Sequence, residues 1–110
     1  MAVRFELHKN DKGQFHFSLK NEEGATLLGS EQYESKASAE NGIASVKKNS
    51  VLPERFEKQT ASDGRAYFTL KAANHQIVGT SPMFGSADKR DAMLALAHAD
   101  AEHAPVHDHT

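Results

Sequence analysis

Apolar and polar side chains alternate along the first twenty residues, and the alternation breaks only where asparagine, aspartate and glycine gather. Val3, Phe5 and Leu7 alternate with Arg4, Glu6 and His8, and Phe15, Phe17 and Leu19 alternate with His16, Ser18 and Lys20. A period of two with one apolar side predicts two half-buried strands. Asn10-Asp11-Lys12-Gly13 between them holds residues that tolerate positive φ, so it predicts a hairpin turn. Asn21-Glu22-Glu23-Gly24 predicts a second turn, before a short strand at about residues 26–30. From residue 35 to residue 48 the period changes. Ala39, Ile43 and Val46 recur at helical spacing, Ser35 stands where an N-cap accepts from the first turn, and Lys47 and Lys48 suit the C-terminal dipole. Gly42 inside this helix costs about 1 kcal/mol relative to Ala, and close approach of the helix backbone to the sheet is its expected compensation.

The same order then returns 51 positions later. Phe5-Glu6 recurs as Phe56-Glu57, Gly13 as Gly64, Phe17-x-Leu19-Lys20 as Phe68-x-Leu70-Lys71, and Ser30, Ser35 and Ala44 as Ser81, Ser86 and Ala95. Repeat two therefore predicts strands at about residues 55–60, 65–71 and 76–80, turns at Ser62-Asp63-Gly64 and Asn74-His75, and a helix at about residues 87–102 capped by Ser86. Residues 104–110 read as either a frayed tail or one more edge strand. A unit this short rarely buries its apolar face alone, so the copies are expected to share one core. The duplicated residues are turn glycines and core positions, which build a scaffold rather than perform chemistry.

Composition narrows the function classes. The 110 residues suit one domain, and the absence of cysteine excludes thiolate nucleophiles, thiolate metal sites and disulfides. Charge begins at Arg4 and Glu6, which argues against a secretory apolar segment, and no run approaches the ~18 apolar residues of a membrane span. A cytoplasmic protein is expected. Thirteen Lys and Arg against fifteen Asp and Glu, without a long run of either sign, argue against nucleic acid as a partner, since phosphate neutralisation supplies most of that affinity.

The doubled motifs carry a resemblance. Phe15-His16-Phe17-Ser18-Leu19-Lys20, Ser30-Glu31-Gln32-Tyr33-Glu34-Ser35-Lys36-Ala37 and Gly42-Ile43-Ala44-Ser45-Val46-Lys47, with Lys58-Gln59-Thr60-Ala61-Ser62-Asp63-Gly64 and Leu70-Lys71-Ala72-Ala73-Asn74-His75 in the second half, resemble the YegP-like family of small bacterial proteins over essentially the whole chain. The resemblance implies a pair of β-β-β-α-β units merged into one antiparallel sheet, with the strand after each helix exchanged into the other half. It further implies a covalently fused pseudo-dimer and supplies no catalytic residues. The second helix reads Met93-Leu94-Ala95-Leu96-Ala97 where the family repeats its Gly-Ile-x-Ser-Val pattern.

Two constellations remain as sites. His98, His103, His107 and His109, with Asp100, Glu102 and Asp108 among them, are chemically suited to Zn or Ni. Their spacing is poor: His98 and His103 stand about 140° apart on a helix, and Pro105 interrupts the pair His103 and His107. No metal and no other cofactor is expected. If the apolar row faces the helices, then Glu6, His8, His16, Lys20, Glu57, Gln59, Tyr67 and Lys71 share the opposite, open face, either as a wet surface or as a binding surface. His16, Lys20, Tyr67 and Lys71 are the residues selected on it. Tyr33 and Phe84, ahead of the two helices, read as hydrophobic staples rather than recognition aromatics. No nucleophile elbow, phosphate-cradling glycine loop or HExxH is present.

The resulting expectation is a single α+β domain over residues 1–110, with repeat one at about 1–52, repeat two at about 53–110, and two helices on one face of an antiparallel sheet. Its expected role is that of a small non-catalytic module, monomeric, that binds a protein partner or associates with itself through the open face or an edge strand; an enzyme is the alternative.

Overall fold

Two hairpins of matched register set the frame. In the computed structural model, which describes residues 3–110, β1 (Arg4–Lys9) and β2 (Phe15–Lys20) pair antiparallel with Leu7 opposite Phe17, and β3 (Thr26–Gly29) continues on β2. Helix α1 (Lys36–Ser50) follows, then a 3-10 turn at Pro53–Arg55. The second half repeats the plan with β4 (Phe56–Thr60), β5 (Ala66–Lys71), β6 (Ile77–Thr80) and α2 (Ala87–Asp100), a 3-10 turn at Ala101–His103, and a last strand β7 (Val106–Asp108). Ser35 and Ser86 cap the helices as expected, each hydroxyl accepting from the backbone N–H three residues on.

The copies repeat even in single hydrogen bonds. Ser30 Oγ accepts from the Phe17 N–H at 2.9 Å, and Ser81 Oγ accepts from the Phe68 N–H at 2.9 Å. Tyr33 and Phe84 do more than staple: each bridges to the middle strand of its half, at Phe15 of β2 and Ala66 of β5, and stacks on the core phenylalanine of that half, Phe17 or Phe68.

The strand order is β4-β5-β6-β3-β2-β1-β7 in one sheet. Its centre is a single antiparallel bridge, Gly29 to Thr80, between residues that are themselves 51 apart. A pseudo-twofold axis therefore passes through that bridge. Copies of one residue meet each other there, and the copies have diverged: Leu28 fills the space over Gly79, where an added Cβ would lie 2.6 Å from the Leu28 Cγ. Two leucines would collide, so one bulky and one absent side chain solve the contact.

Both helices cover the same face. α1 lies on β2 of its own half and on β5 and β6 of the other, and α2 lies on β5 and on β3. Phe5, Leu7, Phe17, Leu19, Leu28, Val46, Phe68 and Leu70 are sealed between the layers. Gly42 meets its expectation: a Cβ there would sit 2.7 Å from the Tyr33 hydroxyl and 2.8 Å from a Phe17 ring carbon, so only glycine lets α1 approach this closely.

The strand after each helix does lie in the other half, β4 beside β5 and β7 beside β1. The expectation of an antiparallel sheet needs one correction. β7 pairs with β1 in parallel, Phe5 to Val106 and Leu7 to Asp108, so the sheet is mixed. The reason lies in the duplication. Val106 stands 51 residues after Arg55, so β7 repeats the start of the strand that pairs with β5. In the first half β1 already fills that place beside β2, and β7 is left to lie outside it, running the same way. The tail is thus an edge strand, held by the Phe5 N–H to the Pro105 carbonyl and the His109 N–H to the Leu7 carbonyl, 2.8 Å each.

Candidate functional site

Because strands alternate their side chains, the face away from the helices is built from every second residue. On the first half it carries Arg4, Glu6 and His8 of β1, His16, Ser18 and Lys20 of β2, and, by register, His107 and His109 of the tail. On the second it carries Glu57 and Gln59 of β4 and Tyr67, Thr69 and Lys71 of β5.

The four selected residues do lie on this face, and the structure divides them. His16 and Lys20 sit on β2, Tyr67 and Lys71 on β5, with β3 and β6 between, a separation of about 14 Å at the usual strand spacing. Each lysine faces a glutamate of the adjoining strand, Lys20 with Glu6 at 3.9 Å and Lys71 with Glu57 at 2.9 Å. Glu6 also accepts from Arg4 Nε at 2.8 Å and lies 3.2 Å from His8 Nε2. The Arg4 hydrogen bond is the main reason that the Glu6 carboxyl is held below its ordinary value.

Only the first half carries a column of imidazoles. His109 stacks on His8 with ring centroids 5.0 Å apart, and His8 stacks on His16 at 5.4 Å. Burial, and secondarily the neighbouring His8, push the His16 imidazole below its ordinary value. In the other half the residues 51 positions on from His8 and His16 are Gln59 and Tyr67. Two buried side-chain atoms have no hydrogen-bond partner among the described residues, His16 Nδ1 and Thr69 Oγ1, and both belong to this outward face.

The histidines of the C-terminal region are dispersed. His98 on α2 points its Nδ1 to the Ser50 carbonyl at 2.7 Å and meets Phe56 edge-on. His103 is exposed beside Glu102. His109 joins His8 instead, a contact that sequence spacing did not indicate because it depends on the parallel tail. Among the described residues no three histidine or carboxylate side chains converge as a ligand set, and no hydrogen bond joins a Ser or Thr hydroxyl to an imidazole. No described helix is long and apolar enough to cross a membrane.

The sheet edges differ. β1 is covered by β7, and its Leu7 is 1% exposed. The residue equivalent to Leu7 on the bare edge strand β4 is Lys58, which turns toward the helix side and pairs with Asp91 of α2 at 3.4 Å. A lysine directed inward and the proline-led turn before it are devices that discourage strand addition at an edge.

Residues 10–57 and 61–108 match, as two successive copies, a domain described as "Domain of unknown function (DUF1508)". The chain belongs to the DUF1508 family. It is 53% identical to the UPF0339 protein YegP of Shigella flexneri over 110 residues, the full length of both, and 44% identical to a UPF0339 protein of Acinetobacter baylyi over 100% of this chain and 99% of that one. Among solved structures, the NMR structure of YegP from Escherichia coli superposes with a TM-score of 0.91 at 52% identity, covering 100% of this chain and 95% of that one. That of a UPF0339 protein from Shewanella oneidensis gives 0.92 at 41%, covering 98% and 92%. The first of these structures is described as a protein of unknown function, and none of these relatives brings a catalytic residue to the site.

Proposed function

We propose that the chain is a non-catalytic binding module, acting in the cytoplasm as a monomeric, single-domain fused pair of repeats (1–52 and 53–110), and that a partner protein docks on the open sheet face. The observation that carries this reading is the make-up of the uncovered sheet face, where His8, His16 and Tyr67 stand among the pairs Lys20–Glu6 and Lys71–Glu57. An aromatic ring set among polar side chains on an uncovered sheet is the kind of surface that docking favours. The bare edge is the weaker candidate, since Lys58 and Pro53 blunt it.

The test is capture with quantitative mass spectrometry, comparing the wild-type chain with a variant carrying H16A, K20E, Y67A and K71E, and mapping contacts by cross-linking. The reading expects a partner that cross-links to β2 and β5 and is lost by the variant, while the variant still unfolds in one cooperative transition, lowered only modestly because the pairs it removes are partly exposed. Capture that survives all four substitutions, with cross-links on β4 or on the turn at residues 72–75, would refute it.

A further inference from the structure

The turns that follow β2 and β5 stand 51 residues apart, and their sequences have diverged in charge. Asn21-Glu22-Glu23-Gly24 corresponds to Ala72-Ala73-Asn74-His75. In the first, Gly24 takes the left-handed conformation at φ 83°; in the second, His75 takes it at φ 68°, where a residue with a Cβ is uncommon. The replacement of two glutamates by alanine and asparagine removes both bulk and negative charge beside the end of α1.

A hollow of about 490 Å³ opens there, between the last turn of α1, the Pro53–Arg55 turn and residues 72–74. A second of about 320 Å³ adjoins it through Arg55, Ala72 and Ala73 and reaches Lys71 and His75. Arg55 is the shared wall, and it is held in place: one guanidinium nitrogen donates to Asn49 Oδ1 at 2.7 Å, and Asn49, only 4% exposed, is itself fixed by donating to the Ser45 carbonyl at 2.8 Å. The remaining guanidinium donors are available as a preformed fork. Lys48 lines the same hollow, and Asn74 sits at its rim with its carboxamide oxygen occupied by the Gln76 N–H.

Three cations, Lys48, Arg55 and Lys71, line the two hollows against two carboxylates, Glu54 and Glu57, and Glu57 is already paired with Lys71. At the positions 51 residues away, Lys48 and Asn49 become Ala99 and Asp100, Ala73 and Asn74 become Glu22 and Glu23, and Arg55 corresponds to Arg4. Both copies keep the arginine, but in the first it stands beside Glu22 and donates to the Asn21 carbonyl, whereas in the second the neighbouring turn has lost both glutamates. The C-terminal carbonyls of α1 oppose a negative ligand, and Lys48 and Arg55 are placed to offset them.

We propose that this hollow binds a small molecule through a compact oxyanion, a carboxylate or phosphate group, with Arg55 as its anchor and Lys48 and Asn74 beside it. Leu52, Ala72 and Ala73 supply an apolar floor for the rest of such a molecule. The larger hollow at the end of α1 shares no residue with the open face, which only the adjoining hollow reaches, at Glu57 and Lys71, so a titration read at Arg55 and Lys48 is separable from partner docking.

The test is a ¹H–¹⁵N titration, including the arginine Nε–H signals, with inorganic phosphate in one arm, succinate in a second and sodium chloride at matched ionic strength in a third. Saturable shifts centred on Arg55 and residues 72–75 are expected with phosphate or succinate and not with chloride; the arm that saturates at lower concentration identifies the preferred oxyanion. R55Q should weaken binding about tenfold, the loss of one charge-assisted contact. R65Q, which alters an exposed arginine paired with Asp63 in another turn, should leave it unchanged. If R55Q disturbs the fold, K48Q on the exposed side of α1 should still weaken binding by a few fold. Shifts that never saturate, that match those of chloride, or that persist in R55Q and K48Q overturn the proposal.

Discussion

The two repeats share a backbone plan and differ in how tightly each helix closes on it. α1 buries Ala39, Gly42, Ile43, Val46, Asn49 and Ser50, whereas α2 buries only Ala97. Met93 stands where α1 has Gly42, and a methionine there cannot admit the close approach to an aromatic pair that Gly42 permits. The edges follow the same rule: Leu7 is sealed under the tail in one half, and its counterpart Lys58 meets solvent and Asp91 in the other. The comparison teaches that duplication preserved the contacts each copy needs to form its hairpins and caps. It released the positions where the copies meet or face water.

The preserved part predicts the largest effects. Phe17 and Phe68 are both fully buried and stack on Tyr33 and Phe84 respectively. F17A and F68A should each cost about 3–5 kcal/mol in urea denaturation, by similar amounts and in one transition. A large disparity between them would show that the halves do not share their core equally.

Next come the positions where the copies diverged. G42A replaces glycine with a better helix former, yet its Cβ strikes Tyr33 and Phe17, so it should destabilise by about 1–3 kcal/mol. M93A at the equivalent, half-buried position of α2 should cost about 1 kcal/mol. Stabilisation by G42A would break the account of why α1 lies closer.

The smallest effect concerns acid. His16 is held below its ordinary value, so the unfolded chain takes up a proton more readily than the folded one. Stability should therefore fall as pH drops through the ordinary histidine range near 6.5, and this loss should end once pH passes the lowered folded value. Glu6 and Asp108 are also held low, Asp108 chiefly by Lys36. Their contributions are present above the ordinary carboxylate range and are lost only at more acid pH. Melting temperatures between about pH 7.5 and pH 5.5 should fall less steeply in H16Q than in the wild type. Equal slopes would remove the imidazole column from the acid response.

Much of this architecture was legible before any coordinates. Alternation in β1, β2 and β5, turn glycines, and the Ser35 and Ser86 caps are local signals, and the 51-residue period tied them into a pair. What stayed hidden was non-local. Val106 to Asp108 is three residues without an alternating pattern, and its partner β1 lies at the far end of the chain, so neither the parallel pairing nor the His109 contact with His8 had a local signature. The face residues His16, Lys20, Tyr67 and Lys71 were placed by period alone, but their division into two patches follows from β3 and β6 lying between. The hollow at Arg55 needs the end of α1 and the turn at residues 72–75 to meet. Its one visible trace was histidine standing where the other copy has glycine.

The central claim is that two copies of one unit fold as a single cooperative structure around a shared core. The chain holds only two tyrosines, Tyr33 in the first half and Tyr67 in the second, so selectively ¹³C-labelled tyrosine gives one ring probe for each repeat. Urea unfolding followed at both rings is predicted to give coincident midpoints and equal slopes. Two separated midpoints, with one ring reaching its unfolded signal while the other remains native, would contradict it.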